Sequence, residues 1–289
     1  MDAKTHRSAL KNNQREIVNP RLWGRARMLR KRYFGKIIYR LGVVNSTQDA
    51  LRQYFLNGAP EGAIVLAEDQ IRGRGRRERP WHSLSGKGLC MSVLLLPEGP
   101  EERWTWVPLW AGIVVRKAVL DLLHSAAESS APRIQLKWPN DILLGDRKLG
   151  GILAERVQDD RGRPGVILGI GINLLQIKED FPPHLRAPAT SLFLATGEAY
   201  LPDALLEKMI VNLEEHYPLI KPVNAAHIKK RWLEQGWGFK ARLRVTCADG
   251  VLEGTFSDLG RNGELCLQVD EGRMIRLASS EKIERVNNP

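Results

Sequence analysis

Apolar and polar residues alternate along the chain with two different periods, which together predict a mixed α and β fold. Apolar runs of strand length are bounded by glycine, proline or asparagine, residues that end strands and form turns. The predicted strands are Ile37–Val44, Ala63–Ala67, Cys90–Leu96, Ile134–Trp138, Asp141–Leu144, Lys148–Arg156 and Val166–Leu174. Apolar residues at helical spacing predict helices over Gln48–Asn57, Trp106–Ala127 and, interrupted by Pro218 and Pro222, residues 203–235.

The pattern changes after Gly236, where short alternating strands are separated by Asp-Gly, Asn-Gly and Glu-Gly turns. The predicted strands of this part are Arg242–Cys247, Leu252–Asp258, Glu264–Val269 and Met274–Ala278. Strands of this length and spacing predict a small all-β, barrel-like module. We therefore divide the chain into an arm over residues 1–33, a larger domain over 34–235 and a small β domain over 236–289.

The composition is that of an ordinary globular protein and argues against several other classes. The 289 residues are 43% hydrophobic and 27% charged. No apolar run reaches the length of about 18 residues that a membrane span needs, and the first residues lack the apolar core of a secretory signal. Cys90, Cys247 and Cys266 have neither metal-binding nor redox spacing. We therefore predict a cytoplasmic protein that does not contact a membrane.

Positive charge is concentrated at the N-terminus. The first 40 residues carry twelve Lys and Arg against two acidic residues, and so hold almost all of the net charge of +11. Such an arm could bind nucleic acid or an acidic partner, act as an organelle transit peptide, or be a solvated extension. It is too short for a complete helix-turn-helix domain with its own core, so we expect no sequence-specific DNA binding.

An arginine-rich loop directly follows the strand predicted at Ala63–Ala67. Five arginines lie within Arg72–Arg79, beside Gly73 and Gly75. Glycine lets the backbone approach a ligand closely, and the arginine fork suits phosphate and carboxylate groups. The same composition is also typical of an exposed basic loop or of an RNA-binding segment. The residues of the loop alone leave these three interpretations open.

Two common nucleotide-binding motifs fail on spacing. A P-loop around Gly86-Lys87 would need a glycine at position 81 and a hydroxyl residue at 88, where the chain has Trp81 and Gly88. A dinucleotide loop needs a third glycine, but Glu78 follows the first glycine pair and Leu174 follows the pair Gly169 and Gly171. Any phosphate chemistry must therefore use another design.

Two further segments carry candidate chemistry. Lys137–Asp141 is followed by Lys148 and then Gly150-Gly151, so a lysine after a tight turn could project into a site that the backbone also lines. Asp141 could fix this lysine, bind a metal through water or cap a turn, and Lys148 could equally be an ordinary strand-edge lysine. Glycines within Gly169–Asn173 indicate either a bulge or close approach of a ligand.

In this order, the segments resemble the biotin protein ligase family. The matching stretches are Asn45–Ala50, Gln70 with Gly73–Arg77 and Trp81, Lys137–Asp141, Lys148 with Gly150 and Gly151, and Gly169–Asn173. The resemblance implies an α+β fold: a mixed β-sheet with helices packed on it, like the catalytic domain of class II aminoacyl-tRNA synthetases, and a small C-terminal SH3-like β-barrel. It also makes residues 34–235 the biotin- and ATP-binding catalytic domain.

The implied reaction has two steps. The carboxylate of biotin attacks the α-phosphate of ATP and forms biotinyl-5′-AMP, which then transfers biotin to a lysine of a biotin carboxyl carrier domain. ATP and biotin are the substrates, and Mg²⁺ is expected with the ATP. The implied partner is acetyl-CoA carboxylase or another biotin-dependent carboxylase, and the enzyme is expected to be a monomer or a homodimer.

The resemblance also implies roles for individual residues, with Lys148 and Arg76 as the catalytic pair. The biotin site would be formed by Ser46, Thr47, Gln48, Gln70, Arg74, Gly75, Arg76, Lys148 and Gly151. The nucleotide site would be formed by Trp81, Asn140, Asp141, Lys148, Gly169, Gly171 and Asn173. Metal ligands cannot be named. Three residues depart from the family pattern: Glu78 replaces a usual glycine, and Gln48 and Gly88 stand where asparagine is common. We expect Glu78 to stiffen the loop or to pair with Arg76 or Arg79.

Two other functions compete with this interpretation. A lipoate or octanoate protein ligase or transferase would have the same broad fold, but the Gly73–Arg77 loop with Lys137–Asp141 favours biotin. A nucleic-acid-binding protein could use the basic arm and the arginine loop. The near-neutral charge of the chain beyond residue 40 counts against this second alternative.

Overall fold

A computed structural model gives the fold of residues 33–124, 133–185, 187–221, 223–269 and 272–286. The arm up to residue 32, Pro222 and the end of the helix predicted over Trp106–Ala127 lie outside these described residues. The strands are β1 (Ile38–Val44), β2 (Ile64–Gln70), β3 (Gly88–Leu95), β4 (Ile134–Lys137), β5 (Asp141–Leu144), β6 (Arg147–Gln158), β7 (Pro164–Asn173), β8 (Arg242–Cys247), β9 (Gly250–Leu259), β10 (Leu265–Gln268), β11 (Met274–Leu277) and β12 (Lys282–Arg285). The helices are α1 (Thr47–Leu56), α2 (Val107–His124), α3 (Leu192–Thr196), α4 (Pro202–His216) and α5 (Ala225–Leu233).

The larger domain is built on a seven-stranded sheet in the order β1-β2-β3-β7-β6-β5-β4. β1 and β2 are parallel, and the other neighbouring pairs are antiparallel. The glycine-containing strand β7 lies at the centre, where Gly171 is paired with Cys90 on one side and with Gly151 on the other. A central strand is paired along both edges, so its position is fixed more firmly than that of a loop.

Helices cover both faces of this sheet. On one face, Leu51 and Phe55 of α1 are buried against Val65, Leu94 and Ile167. On the other face, α2 and α4 pack on each other and on the sheet in the main core. Strands covered on both faces read as continuous apolar runs rather than as an alternating pattern. The α+β architecture predicted for this part of the chain is therefore confirmed.

The small domain is a five-stranded antiparallel sheet in the order β11-β10-β9-β8-β12, with β11 and β12 at its edges. Two tryptophans of the larger domain donate hydrogen bonds to backbone carbonyls of the small domain. The indole nitrogen of Trp106 donates to the carbonyl of Arg261 at 3.0 Å, and that of Trp138 donates to Gly263 at 2.9 Å. Residues leading into the small domain extend the larger sheet, since the amide of Trp237 donates to the carbonyl of Leu136 at 2.7 Å.

The elements differ from the prediction mainly at their ends. The helix predicted from Trp106 begins at Val107, because residues Glu101–Trp106 form a separate 3-10 turn. The short helix Leu192–Thr196 and the edge strand Lys282–Arg285 were not predicted. Only Ile283 of that strand is buried, so its sequence carries almost no apolar signal.

Candidate active site

Two glycines on neighbouring central strands form a flat floor under the ring of Trp81. A Cβ atom on Gly171 would lie 2.5 Å from Trp81 Cε2, closer than a real Cβ contact allows. A Cβ on Gly151 would lie 3.5 Å from both Trp81 Cζ3 and Lys148 Nζ. Here the absence of a side chain is needed for close approach rather than for an unusual backbone angle. The glycine motifs therefore meet the predicted tryptophan and lysine in one place.

A buried polar cluster lies where β1, α1, β2 and β3 meet. Gln70 Oε1 accepts hydrogen bonds from the backbone nitrogen of Thr47 at 2.8 Å and from its hydroxyl at 3.1 Å. The Ser92 hydroxyl donates to Thr47 Oγ1 at 2.8 Å. Ser46 caps α1, since its hydroxyl accepts from the amide of Gln48 at 3.2 Å. Amides and hydroxyls fixed in this way suit a neutral ligand that has both donors and acceptors.

Gln48 and Cys90 complete this polar cluster. The side-chain carbon Cδ of Gln48 would be only 2.7 Å from a Cβ on Gly169, and its Nε2 donates to the carbonyl of Leu153 at 3.4 Å. Burial raises the pKa of Cys90 to about 11, although hydrogen bonds with the side chains of Ser83, Gln70 and Trp81 oppose this shift. Cys90 is therefore a neutral thiol beside the cluster, a position that the sequence did not predict.

Lys148 lies beside the glycine floor, and Arg76 belongs to the loop that leads to Trp81. Lys148 Nζ lies 2.6 Å from Asp141 Oδ1 and 5.9 Å from the centre of the Trp81 ring. Burial lowers the pKa of Arg76, and the neighbouring Arg77 adds to this effect, whereas the charge of Asp141 opposes it. Among the residues that the structure describes, the Arg76 guanidinium has no hydrogen-bonded or ion-paired partner. A partly desolvated guanidinium that has no ion-pair partner is suited to bind an anion.

The arginine loop forms a compact hairpin. The amide of Trp81 donates to the carbonyl of Gly73 at 2.8 Å, and that of Gly75 donates to Arg79 at 2.7 Å. Glu78 has a left-handed backbone with φ of 55°, a conformation that favours glycine, and its side chain is exposed. Within the described part of the chain, the expected ion pairs from Glu78 to Arg76 or Arg79 are not formed.

Both sides of the hairpin are tied to other elements. Arg74 forms a bidentate pair with Asp49 of α1, with both N–O distances 2.7 Å. Arg77 Nη1 lies 2.8 Å from Glu281 Oε1 of the small domain. Neither acidic partner was predicted. Asp49 lies in the matched segment Asn45–Ala50, whereas no pattern in the sequence relates Glu281 to the loop.

The asparagines predicted for the nucleotide site are held by backbone groups. Asn140 Nδ2 donates to the carbonyl of Ile152 at 2.7 Å. Asn173 is 4% exposed and donates to the carbonyl of Thr190 at 3.0 Å. Gln176 Nε2 donates to Asn173 Oδ1 at 3.3 Å. These asparagines therefore have fixed orientations, and Asn173 keeps one N–H free of these contacts.

No metal cluster or membrane span is found in the described parts of the chain. Within residues 33–124, 133–185, 187–221, 223–269 and 272–286, no three His, Cys, Asp or Glu side chains are placed to hold an ion. Over the same residues, no helix is long and apolar enough to cross a membrane.

A surface cleft of about 820 Å³ is lined by residues such as Arg103 and Arg261, and by none of the candidate residues.

The sequence and the fold resemble those of known ligases. The family model described as "Biotin/lipoate A/B protein ligase family" matches residues 41–173, a range that holds every candidate site residue. The chain belongs to this family, as the sequence comparison with individual members also shows.

Among its relatives is the bifunctional ligase/repressor BirA of Bacillus spizizenii, 34% identical over 245 residues that cover 84% of this chain and 73% of the relative. The biotin–[acetyl-CoA-carboxylase] ligase of Mycobacterium tuberculosis is 31% identical over 228 residues, covering 77% of this chain and 79% of the relative. The solved biotin protein ligase of Aquifex aeolicus, in complex with biotin and ATP, superposes with a TM-score of 0.70 at 27% identity, covering 87% of this chain and 100% of that one. The predicted resemblance to biotin protein ligases is thus confirmed.

Proposed function

We propose that this protein is an ATP-dependent biotin protein ligase. In the first step, a carboxylate oxygen of biotin attacks the α-phosphorus of ATP, and pyrophosphate leaves. In the second step, a lysine amine of a carrier protein attacks the acyl carbon of biotinyl-5′-AMP, loses its proton and releases AMP. Both steps require that negative charge on the carboxylate and phosphate be neutralised without free access of water.

The observation that carries this proposal is that the glycine floor, the Trp81 ring and the Lys148 ammonium lie together, next to the loop that holds Arg76. Arg76 has no carboxylate partner among the described residues, and Lys148 has only Asp141. The Trp81 ring covers Gly171 and approaches Gly151, and Lys148 lies beside the same ring, so an acyl phosphate held next to the ring would meet the Lys148 ammonium. Arg76, in the loop that leads to Trp81, is assigned to the same anion. Two anions that repel each other in water would therefore be brought together by fixed positive groups.

The remaining predicted residues have roles that fit the two ends of such a ligand. Biotin would lie towards the polar cluster of Ser46, Thr47, Gln48 and Gln70, with its carboxylate directed at Lys148. The adenylate would lie towards Trp81 and Asn173. Gly169, predicted for the nucleotide site, would instead border the biotin end, because it lies against Gln48. Asn140 would act by fixing β6 rather than by touching the nucleotide, because its amide is bonded to Ile152.

Mg²⁺ would arrive with ATP as part of the substrate. The described residues hold no ready-made cluster of metal ligands, and Asp141 is the carboxylate next to Lys148. Magnesium commonly binds through one or two carboxylates together with substrate phosphates. If the ion were bound by Asp141 and the phosphates of ATP, its positive charge would lie close to that of Lys148.

The acceptor would be the carrier domain of acetyl-CoA carboxylase or of another biotin-dependent carboxylase, in line with the name of the Mycobacterium tuberculosis relative. Three finer features belong to the same proposal: a catalytic domain like those of class II aminoacyl-tRNA synthetases, an SH3-like small domain, and a cytoplasmic location. We also propose that the protein, as a monomer or homodimer, lacks sequence-specific DNA binding. Operator protection in a footprinting assay with biotinyl-5′-AMP would contradict that last point.

Pyrophosphate exchange tests the first step. The enzyme is incubated with MgATP, labelled pyrophosphate and either biotin, lipoate or no acid, and label in ATP is counted. We expect label in ATP only with biotin, because the exchange requires reversible formation of biotinyl-5′-AMP. Equal exchange with lipoate would favour the lipoate ligase alternative, and exchange without any acid would contradict the proposal.

The glycine floor gives a further prediction. In Gly171→Ala, the new Cβ would collide with the Trp81 ring, so the ring must leave the floor. We expect the KM values for biotin and ATP in pyrophosphate exchange to rise about tenfold or more, since small misplacements of binding groups are costly. Gly42→Ala on β1 is the matched control, because no atom lies within 4 Å of its added Cβ. Unchanged KM values in Gly171→Ala would show that the ring does not need this floor.

A further inference from the structure

We propose that Asp49, with Glu155, is a positioning residue that holds the arginine hairpin closed through Arg74. This inference rests on the proposed function, because it assigns the hairpin the task of retaining biotinyl-5′-AMP. It also changes the role expected for Arg74. Arg74 would fix the base of the hairpin through its ion pairs, and Arg76 would remain the cation that binds the ligand.

The contacts of Arg74 join three separate elements. Its Nη1 and Nη2 atoms lie 2.7 Å from Oδ2 and Oδ1 of Asp49 on α1. Nη2 is also 3.7 Å from Oε1 of Glu155 on β6. Glu155 is in turn 3.3 Å from Arg52, one turn further along α1. A fork-to-fork pair fixes orientation as well as distance, so the base of the hairpin has little freedom to turn.

Arg74 and Arg76 differ in the number of carboxylates that lie close to their guanidinium groups. Two carboxylates already face the Arg74 guanidinium, so little positive potential is left there for a substrate anion. The hydrogen bond from Arg74 is the largest cause that lowers the pKa of Asp49, and it outweighs the opposing effect of burial. Arg76, two residues later, faces no carboxylate at ion-pair distance among the described residues.

We call the contacts of Arg74 with Asp49 and Glu155 the clamp. The position of Asp49 explains how the clamp could affect the ligand. Asp49 directly follows Thr47 and Gln48, which belong to the polar cluster, and it lies in the first turn of α1. The clamp therefore connects the helix that lines the biotin end with the loop that carries Arg76. Loss of the clamp would loosen the hairpin at its base while leaving Arg76 and Lys148 chemically intact.

The test compares Asp49→Asn with wild type in three measurements. The first is the release rate of preformed biotinyl-5′-AMP after dilution into unlabelled biotin. The second is kcat for pyrophosphate exchange, and the third is the rate of tryptic cleavage within Gly73–Arg77 in the free enzyme. We expect about five- to tenfold faster release and faster cleavage, with kcat changed less than about twofold, the effect of losing one bidentate charged pair.

Two further variants make the test specific. Asp203→Asn removes the exposed pair with Arg40, whose N–O distance is 2.8 Å, and should change none of the three measurements. The double variant Asp49→Arg with Arg74→Asp restores an ion pair in the opposite order and should slow release of biotinyl-5′-AMP relative to either single change. Only release is compared for this variant, because Arg74→Asp removes a tryptic site. A purely structural role would instead lower the melting temperature and kcat together, without selective release.

Each outcome separates the two proposals. If wild type retains the adenylate and Asp49→Asn releases it at the wild-type rate, the clamp is wrong and the ligase proposal stands. If wild type forms no adenylate, the ligase proposal fails and the retention role fails with it, whereas faster cleavage in Asp49→Asn would still show that Asp49 fixes the hairpin. Unchanged cleavage would overturn the positioning role itself.

Discussion

Lys148→Ala is expected to lose biotin-dependent pyrophosphate exchange by about 100-fold or more, mainly through kcat. Lys148 Nζ is the ammonium group next to both the glycine floor and Asp141, at 2.6 Å from the carboxylate. It would meet the charge that develops between the biotin carboxylate and the α-phosphate, and removing one fixed donor of this kind typically costs that much. The variant also leaves Asp141 without its cation, which adds repulsion against the phosphates.

A closely matched lysine provides the control. Lys229 forms an ion pair with Asp258 at 2.5 Å, and its side chain is 33% exposed against 28% for Lys148. Lys229→Ala therefore removes a comparable pair and should retain exchange close to that of wild type. Wild-type exchange rates in Lys148→Ala would refute the assigned role, and equal losses in both variants would indicate a general loss of folding.

Arg76→Gly is expected to release biotinyl-5′-AMP into solution, where it labels lysines of unrelated proteins. The substitution removes the uncompensated guanidinium of the hairpin and adds backbone freedom beside Gly75. Adenylate formation should persist because Lys148 remains, but the mixed anhydride would no longer be held. The measurement is biotin incorporated into a non-substrate protein such as serum albumin, expected to rise about tenfold or more over wild type.

The control for this second prediction lies in the same loop. Arg72→Gly also removes one charge and adds a glycine, but Arg72 is exposed and precedes the closed part of the hairpin. We expect no gain in non-substrate labelling for it. If Arg76→Gly labelled albumin no faster than Arg72→Gly, retention of the adenylate would not depend on Arg76.

Most of the larger sheet could be predicted from the sequence because its strands are buried on both faces. Continuous apolar runs such as Ile167–Ile172 allow few other assignments, and all seven predicted strands of this domain are present. The edge strand Lys282–Arg285 could not be found in the same way, since three of its four side chains are exposed. The helix Leu192–Thr196 is one turn and a half long, too short for a periodic signal.

The site was predictable where chemistry requires special residue types. The glycines of a buried strand, the clustered arginine loop and the lysine beside two glycines each left an ordinary structural role open, and only their order along the chain, through the family resemblance, predicted one site. Gly171, Trp81 and Lys148 do lie together. The partners of the loop were not predictable, because Asp49 and Glu281 are common acidic residues at distant positions. Only the folded structure shows that Arg74 is paired with a carboxylate, whereas Arg76 has no such partner among the described residues.

The most direct test of the proposed function is transfer of biotin to a carrier domain, read by intact mass. The enzyme is incubated with biotin, MgATP and the apo carrier domain of a biotin-dependent carboxylase, with lipoate in place of biotin as the control. We expect a mass increase of one biotinyl group on a single carrier lysine, absent when ATP is omitted. An unchanged carrier mass under conditions where pyrophosphate exchange proceeds, or an increase with lipoate alone, would contradict it.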